Sequence, residues 1–549
     1  MAKPIATYQK LRGGYYTPKI IADFLAQWAI QSPSAQVLEP SCGNGVLLES
    51  AASTLLECGA SNKAVARLIH GVEIDEQEAR RAFERIRALN IPVSASLVHH
   101  GDFFAYCQSH LTDKRLFDAV IGNPPFIRYQ TFLEDQRQIA FELMRRAGLH
   151  PSRLTNAWLP FFVASTLLLN QRGRLAMVIP AELLQVNYAA ELRYFISEYY
   201  DQVTLITFKK LVFDRIQQEI VLLLGERNSG GQTGIRTIEL NEAADLLAFK
   251  HTEFSGQPLK PMDHSTEKWT QYFLDPSEIA LLRELRANRK LTRAGDVLEV
   301  DVGVVTGLND FFVLTGQQID ARSLAPYVRP IVSRSGHLQG MIFTEADWQA
   351  NAANQLPAFL LDPPNAALED LPGSIKDYVI SGEEKEFHQG YKCRIRKRWY
   401  IVPSVWTPDA FMLRQMHGFP KIILNETPAT CTDTIHRVKF RSGVIGKQIA
   451  MAFLNSLTFA FAEVTGRSYG GGVLELEPRE AEKLPLPLVG AKRLNIDQLN
   501  HLLLAGHIAE VLEITDQVLL VEGLGLSRGD ARRLRGMWQK LRDRRINRK

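Results

Sequence analysis

The run Phe117-Asp118-Ala119-Val120-Ile121-Gly122, followed at once by Asn123-Pro124-Pro125-Phe126, constrains this chain more than any other feature. A short apolar run ending in a turn signal predicts a buried parallel strand. The two prolines then stiffen the loop, so that its carbonyls point in fixed directions. In open α/β sheets ligands sit outside the carboxyl ends of the strands, which makes this loop a candidate site built to accept hydrogen bonds. An exocyclic amine suits it. The Asn123 side-chain oxygen and the Pro124 carbonyl can take the two amine hydrogens and leave the nitrogen lone pair free to attack an electrophile. Asn-Pro also opens ordinary turns, and the loop alone leaves that alternative open.

Three further strand ends lie upstream. Val37 to Gly45 is a short apolar strand running into a Gly-containing turn, and Val46 to Ala52 has helical character. Glycines in such a turn let backbone approach a ligand, and the following helix points its free amides at it. The turn is neither a dinucleotide fingerprint nor a Gly-Lys-Ser/Thr phosphate loop, which disfavours dinucleotide and triphosphate cofactors. Leu68 to Asp75 predicts a second strand, ending in acids able to hold ribose hydroxyls. Leu97 to Phe104 predicts a third, ending in Asp102 and Phe103. An acid there can accept from an adenine amine, and an aromatic can cover its ring. Singly, each acid also reads as a solvated turn residue.

Taken in order, these segments resemble the adenine-N6 DNA methyltransferases of the restriction-modification type, in the gamma arrangement of motifs. Gly13-Gly14-Tyr15-Tyr16-Thr17-Pro18 resembles the family's amino-terminal cofactor motif, whose Thr contacts the methionine end. Glu39-Pro40-Ser41-Cys42-Gly43-Asn44-Gly45 resembles the Gly-rich cofactor loop, Glu73 with Ile74 the ribose acid and its neighbour, and Asp102 with Phe103 the adenine pair. Asn123, Pro124, Pro125 and Phe126 resemble the catalytic loop, with Phe126 where the family often has Tyr; a stacking face is kept and a hydroxyl lost. Phe213, in Lys209 to Asp214, resembles the aromatic that stacks on the target adenine, although an ordinary core Phe between two strands would look the same. The resemblance implies S-adenosylmethionine as cofactor, duplex DNA as substrate and a class I, Rossmann-like α/β fold. It also implies a separate cognate restriction endonuclease as partner. A cytoplasmic monomer is expected.

Past the catalytic loop the pattern continues. Asn156 to Asn170 and Tyr188 to Tyr199 have helical spacing, while 175–180, 203–206 and 220–224 are apolar strand runs, so seven strands fit one doubly wound sheet. The polar, Gly-rich stretch Glu226 to Gly234 marks the expected domain boundary. Three segments follow: a catalytic domain over 1–228, an α+β target-recognition domain over 236–490, and a basic helical segment over 491–549. Two pieces of the middle segment, Val302 to Phe312 and Gly466 to Leu474, resemble the recognition region of restriction-modification methyltransferases.

Composition bounds the rest. A chain of 549 residues with 46% hydrophobic and 23% charged residues describes a globular protein of two or three domains. No apolar stretch approaches the ~20 residues of a membrane span, and no signal peptide is expected. Its five cysteines show no paired spacing, so neither a disulfide framework nor a metal site is expected. The net charge of +4 is uneven: residues 528–549 carry +8 and the remainder −4. Leu534, Met537 and Leu541 would give that tail a packing stripe if it is helical. Lys392, Arg394, Arg396, Lys397 and Arg398, beside Tyr391, Trp399 and Tyr400, form a second cluster. Read as a strand, it would point Lys392, Arg394, Arg396 and Arg398 at one face, as suits phosphate and base-edge contacts. Either cluster also reads as a solvated face.

Other readings compete with adenine methylation. Cytosine-N4 enzymes usually begin the loop with Ser, and RNA and protein-glutamine enzymes do not call for a large second half with basic and aromatic clusters. A non-catalytic DNA-binding module would not need every pocket residue. The cofactor motif begins at Gly13, so no fused nuclease is expected ahead of it.

Overall fold

In a computed structural model of the chain, the described residues are 16–92, 97–127, 134–152, 155–213, 219–228, 230–249, 254, 256–262, 267–469 and 471–547. Gly13, Gly14 and Tyr15 of the amino-terminal motif, and Asp214 beside Phe213, lie outside them. The chain divides into two compact units, residues 1–273 with 547–549, and residues 274–546.

The first unit holds β1 (Val37–Glu39), β2 (Ile69–Glu73), β3 (Val98–His100), β4 (Phe117–Gly122), β5 (Leu169–Pro180), β6 (Gln202–Phe208), β7 (Ile220–Glu226) and β8 (Gly234–Leu240). They form one eight-stranded sheet in the order β3-β2-β1-β4-β5-β7-β6-β8. Strands β1 to β5 pair in parallel, and β7 runs antiparallel between β5 and β6. Helices α1 (Lys19–Ala29), α2 (Val46–Glu57), α3 (Asn62–Leu68), α4 (Glu76–Arg87), α5 (Phe103–Thr112), α6 (Glu134–Arg146), α7 (Trp158–Leu167) and α8 (Ala190–Tyr199) complete the unit. Leu25 of α1, Leu48 of α2 and Ile86 of α4 share one buried cluster with Ile121, Ile206 and Leu222 of the sheet. Helices α5, α6 and α7 pack on one another, with the Phe104 and Phe161 rings 4.8 Å apart. Covered strands have no polar face to present, so β4 and β7 read as continuous apolar runs.

Two expectations about this unit are corrected. The sheet has eight strands where seven are expected, because β8 extends it by pairing in parallel with β6. The boundary falls after Phe273 and not near residue 228. The Gly-rich stretch is a connection within the sheet: Gly234 has φ +156°, and a Cβ there would stand 2.6 Å from the Lys260 carbonyl oxygen. Close backbone approach explains that glycine, not a linker.

The second unit is α+β, as expected. Its five-stranded sheet runs in the order Leu298–Val302, Ile435–Phe440, Ala410–Leu413, Ile422–Asn425, Ile342–Phe343. The basic tail is a helix over Arg528–Ile546 that buries Leu534, Met537, Trp538 and Leu541 against the helix Ser456–Thr465. Residues 491–546 therefore belong to this unit and do not form a segment of their own. Among the described residues no helix is long and apolar enough to cross a membrane.

Candidate active site

Strand order reverses between β1 and β4, and the expected residues meet at the carboxyl ends of these two strands. The ends approach closely: a Cβ on Gly122 would lie 3.2 Å from Pro40 Cδ. From the β1 loop the Ser41 hydroxyl donates to the Asn123 backbone oxygen (3.3 Å). From the amino-terminal motif, buried Thr17 accepts at Oγ1 from Asn123 Nδ2 (3.2 Å). With its nitrogen turned to Thr17, the Asn123 amide turns its oxygen the other way, the orientation in which that oxygen can accept from an amine.

Backbone geometry shapes the Gly-rich loop. Gly45 donates to the Cys42 carbonyl (2.8 Å), and Cys42 to that of Val72 (2.9 Å). Gly43 and Gly45 both have positive φ, +48° and +81°; open space surrounds the position of a Gly43 Cβ, whereas a Gly45 Cβ would stand 2.7 Å from Ala82 Cα. Gly45→Ala is therefore expected to add about 1–2 kcal/mol of left-handed backbone strain to a clash with helix backbone. Relieving it moves the loop off the cofactor, and affinity read by calorimetry should fall by about 5- to 30-fold if a comparable free energy is lost from binding.

Two carboxylates flank this loop. Glu73 accepts from the Gly43 amide at Oε2 (2.8 Å) and from the Asp75 amide at Oε1 (2.9 Å). Burial raises its pKa, and the amides of Asp75, Gly43 and Ile74 oppose the rise. The carboxylate keeps acceptor capacity for a hydroxyl donor. Beside it Ile74 is 53% exposed, an apolar face available to an aromatic ring. Glu39 is 2% exposed, and its Oε2 has no hydrogen-bond partner. Burial pushes its pKa well up, the Leu48 amide opposes this, and the neighbouring Glu73 charge adds to the rise. An orphaned buried carboxylate oxygen beside an open glycine turn fits a cationic, hydroxyl-bearing cofactor such as S-adenosylmethionine.

The Glu39 shift has a testable sign. A folded pKa above the unfolded value means that the stability gained from protonation is full below about pH 4.3 and is lost as pH rises toward the folded pKa. Glu39→Gln stays neutral, so its cofactor-free melting temperature should exceed that of the wild type by a margin that grows from pH 4.5 to pH 7.5. Cofactor affinity should fall in the same variant.

The remaining expected residues are placed less uniformly. Asp102 leaves β3 and caps α5, accepting from the Ala105 amide (2.9 Å), and burial raises its pKa. Phe103 is 3% exposed and stacks on Phe161 at 5.2 Å, so its ring packs between helices and does not line an adenine pocket. Phe213 is 8% exposed within the cluster that Phe126 packs against. The two aromatics expected on the target base thus share one neighbourhood, with Phe213 on the buried side.

In the second unit the basic cluster is not a strand. Tyr391–Arg394 is a short helix followed by bends, so its basic groups do not alternate onto one face. Lys392, Arg394 and Lys397 are exposed. Arg396 turns inward and donates to the carbonyls of Val305 (2.9 Å) and Thr306 (2.7 Å), while Arg398 donates to Asn365 Oδ1 (2.7 Å). Trp399 and Tyr400 are buried, leaving Tyr391 as the exposed aromatic of the three.

One group escaped the sequence reading. The Tyr16 hydroxyl donates to Glu78 Oε1 (3.0 Å), which also accepts from Arg81 Nη1 (2.7 Å). Tyr16 and Arg81 line an open groove with Asn44 and Arg85. The i,i+3 pair Glu78–Arg81 just after the β2 acids was the available signal.

Two family models match the chain. The family described as N-6 DNA Methylase matches residues 1–286 of the 549, and the family described as Type II methyltransferase M.Eco57I, C-terminal domain, matches residues 266–520. Type II methyltransferase M.AccI from Acinetobacter calcoaceticus is 22% identical over 87% of this chain and 85% of its own length. Type II methyltransferase M.XamI from Xanthomonas campestris pv. amaranthicola is 23% identical over 86% and 85%. Among solved structures, the Type IIL restriction-modification enzyme MmeI in complex with DNA aligns with a TM-score of 0.58 at 11% identity, over 96% of this chain and 75% of that one, a likeness of fold.

Proposed function

The chain belongs to the N-6 DNA methylase family, and from that premise we propose how its own residues divide the work. It is an S-adenosylmethionine-dependent DNA methyltransferase acting on the N6 amine of adenine, a reading favoured over cytosine-N4, RNA, protein-glutamine and non-catalytic alternatives. We take the substrate to be a short word in duplex DNA, the enzyme to be the modification partner of a separate restriction endonuclease, and the working form to be a cytoplasmic monomer.

The observation that carries the residue roles is the placing of Asn123 where β1 and β4 end, its side-chain amide held by Thr17 and its backbone carbonyl by Ser41. Adenine's amine is a poor nucleophile, because its lone pair is delocalised into the ring, and in duplex DNA it is buried. Extruding the base costs a few kcal/mol, and stacking returns about 1–3 kcal/mol per base; Phe126 supplies that face, with Phe213 packed behind it in the buried cluster. The Asn123 oxygen and the Pro124 carbonyl then accept the two amine hydrogens, with Pro125 holding the loop rigid. Glu39, Pro40, Ser41, Gly43, Gly45, Glu73, Ile74, Asp102 and Thr17 hold S-adenosylmethionine, with Phe103 supporting that pocket from behind. When bound, the cofactor supplies a methyl group on a sulfonium, the electrophile the amine requires. Alignment and fixed dipoles supply the rate.

Glu73→Ala tests the cofactor half of this reading. Its carboxylate would make charge-assisted bonds to ribose, so cofactor binding by calorimetry should weaken by about 1.5–3 kcal/mol. Unchanged affinity would remove Glu73 from the site.

A further inference from the structure

The second unit contains a turn whose construction points to base reading. Gly303 and Val304 anchor it to two strands, Ile435–Phe440 and Thr430–Cys431, by donating to the carbonyls of Ile435 (3.1 Å) and Cys431 (2.7 Å). Thr306 is buried; its hydroxyl donates to Asn309 Oδ1 (2.5 Å) and accepts from the Leu308 amide (3.2 Å). The Arg396 guanidinium closes the turn from outside, donating to the Val305 and Thr306 carbonyls and to that of Trp399 (3.3 Å) while lying over the Phe312 ring at 5.5 Å. Gly307 has φ +83°, and a Cβ there would stand 2.5 Å from Lys392 Cβ. The turn is thus fixed in shape and pressed against Lys392.

Its outward side carries Val305, Gly307, Asn309 and Asp310, all exposed. Beside Lys392 stand Arg394 and Lys397, also exposed, with Tyr391 at 66% exposure. These two sets have different chemistry. A carboxylate repels phosphate but accepts from a cytosine amine, and an apolar side chain meets a thymine methyl. Ammonium and guanidinium groups suit phosphates, which position a protein on the duplex without conveying sequence.

Building on the DNA-methylase reading above, we propose that the turn Val305 to Asp310 enters a groove of the target duplex and reads base edges, that Lys392, Arg394 and Lys397 hold the flanking phosphates, and that Arg396 is a positioning residue that keeps the turn in shape and touches no DNA. Arg396 has its donors on carbonyls, and a lysine in its place cannot fork across both.

Target and scrambled duplexes, titrated at several salt concentrations, test this together with modified-base sequencing of plasmid from cells expressing each variant. Asp310→Asn and Val305→Ala should lower the ratio of target to scrambled affinity by about 5- to 150-fold each, relax the methylated word at one position, and leave the melting temperature unchanged. Replacing Lys392, Arg394 and Lys397 by Ala should weaken both duplexes alike and reduce the salt slope by about 0.9 for each phosphate no longer neutralised. Arg396→Lys should lose discrimination with its salt slope unchanged. An unaltered word and ratio in Asp310→Asn and Val305→Ala would overturn the proposal, as would full discrimination in Arg396→Lys. Failure of the underlying reading is separable, because wild-type protein would then leave no methyladenine in any word.

Discussion

Asn123→Ala is expected to lower the single-turnover rate of methyl transfer by about 10²–10³-fold, the scale of removing one preorganised electrostatic group from a reacting centre. Cofactor and DNA affinities should stay close to wild type, because the Asn123 oxygen is needed most as the amine loses electron density. The fold should tolerate the change, since the side chain is half-buried and its amide nitrogen donates to the Thr17 hydroxyl. Thr17→Val should show a smaller loss of the same kind, with Thr17→Ser restoring much of it. A rate near wild type in Asn123→Ala at saturating cofactor would remove the residue from the chemistry.

Arg545→Ala is expected to destabilise the second unit by about 3–5 kcal/mol, the cost of leaving a buried charge without its partner. Arg545 and Glu463 are almost wholly buried, their side chains bonded at 2.6 Å. The guanidinium also donates to the carbonyls of His417 (3.0 Å) and Gly472. Burial pushes the Glu463 pKa up, and Arg545 opposes the rise. Replacing both partners with apolar residues should recover most of the loss. Urea denaturation followed by tryptophan fluorescence measures the effect. If the tail were a DNA-binding arm instead, Arg545→Ala would leave the denaturation midpoint in place and weaken DNA binding.

That helix shows what a charge count conveys and what it hides. The tail's +8 was legible, as was its packing stripe. Where those charges go was not: Arg535 pairs with Asp516, Lys540 with Asp275 and Glu278, and Arg545 with Glu463, all partners distant in sequence. Arg396 makes the same point, since nothing local reveals that its fork closes on the Val305 turn. Strand-end motifs were legible because each is a contiguous signal, an apolar run followed by the residues that meet a ligand. Their convergence followed from topology, because reversal of strand order brings β1 and β4 together. Phe103 and Phe213 resisted, because an aromatic next to a motif looks alike whether it faces a ligand or the core. The boundary near residue 228 failed because glycine marks close approach as readily as a linker: Gly234 lies against Lys260 inside the sheet's edge.

The most direct measurement is nucleoside mass spectrometry on unmethylated plasmid after incubation with the purified protein and deuterated-methyl S-adenosylmethionine, with the methylated positions located by modified-base sequencing. Word-specific adenine methylation through Asn123 predicts labelled N6-methyladenine confined to one short word, and none with Asn123→Ala. Label on cytosine N4, or no label in DNA under conditions where calorimetry shows cofactor bound, would contradict it.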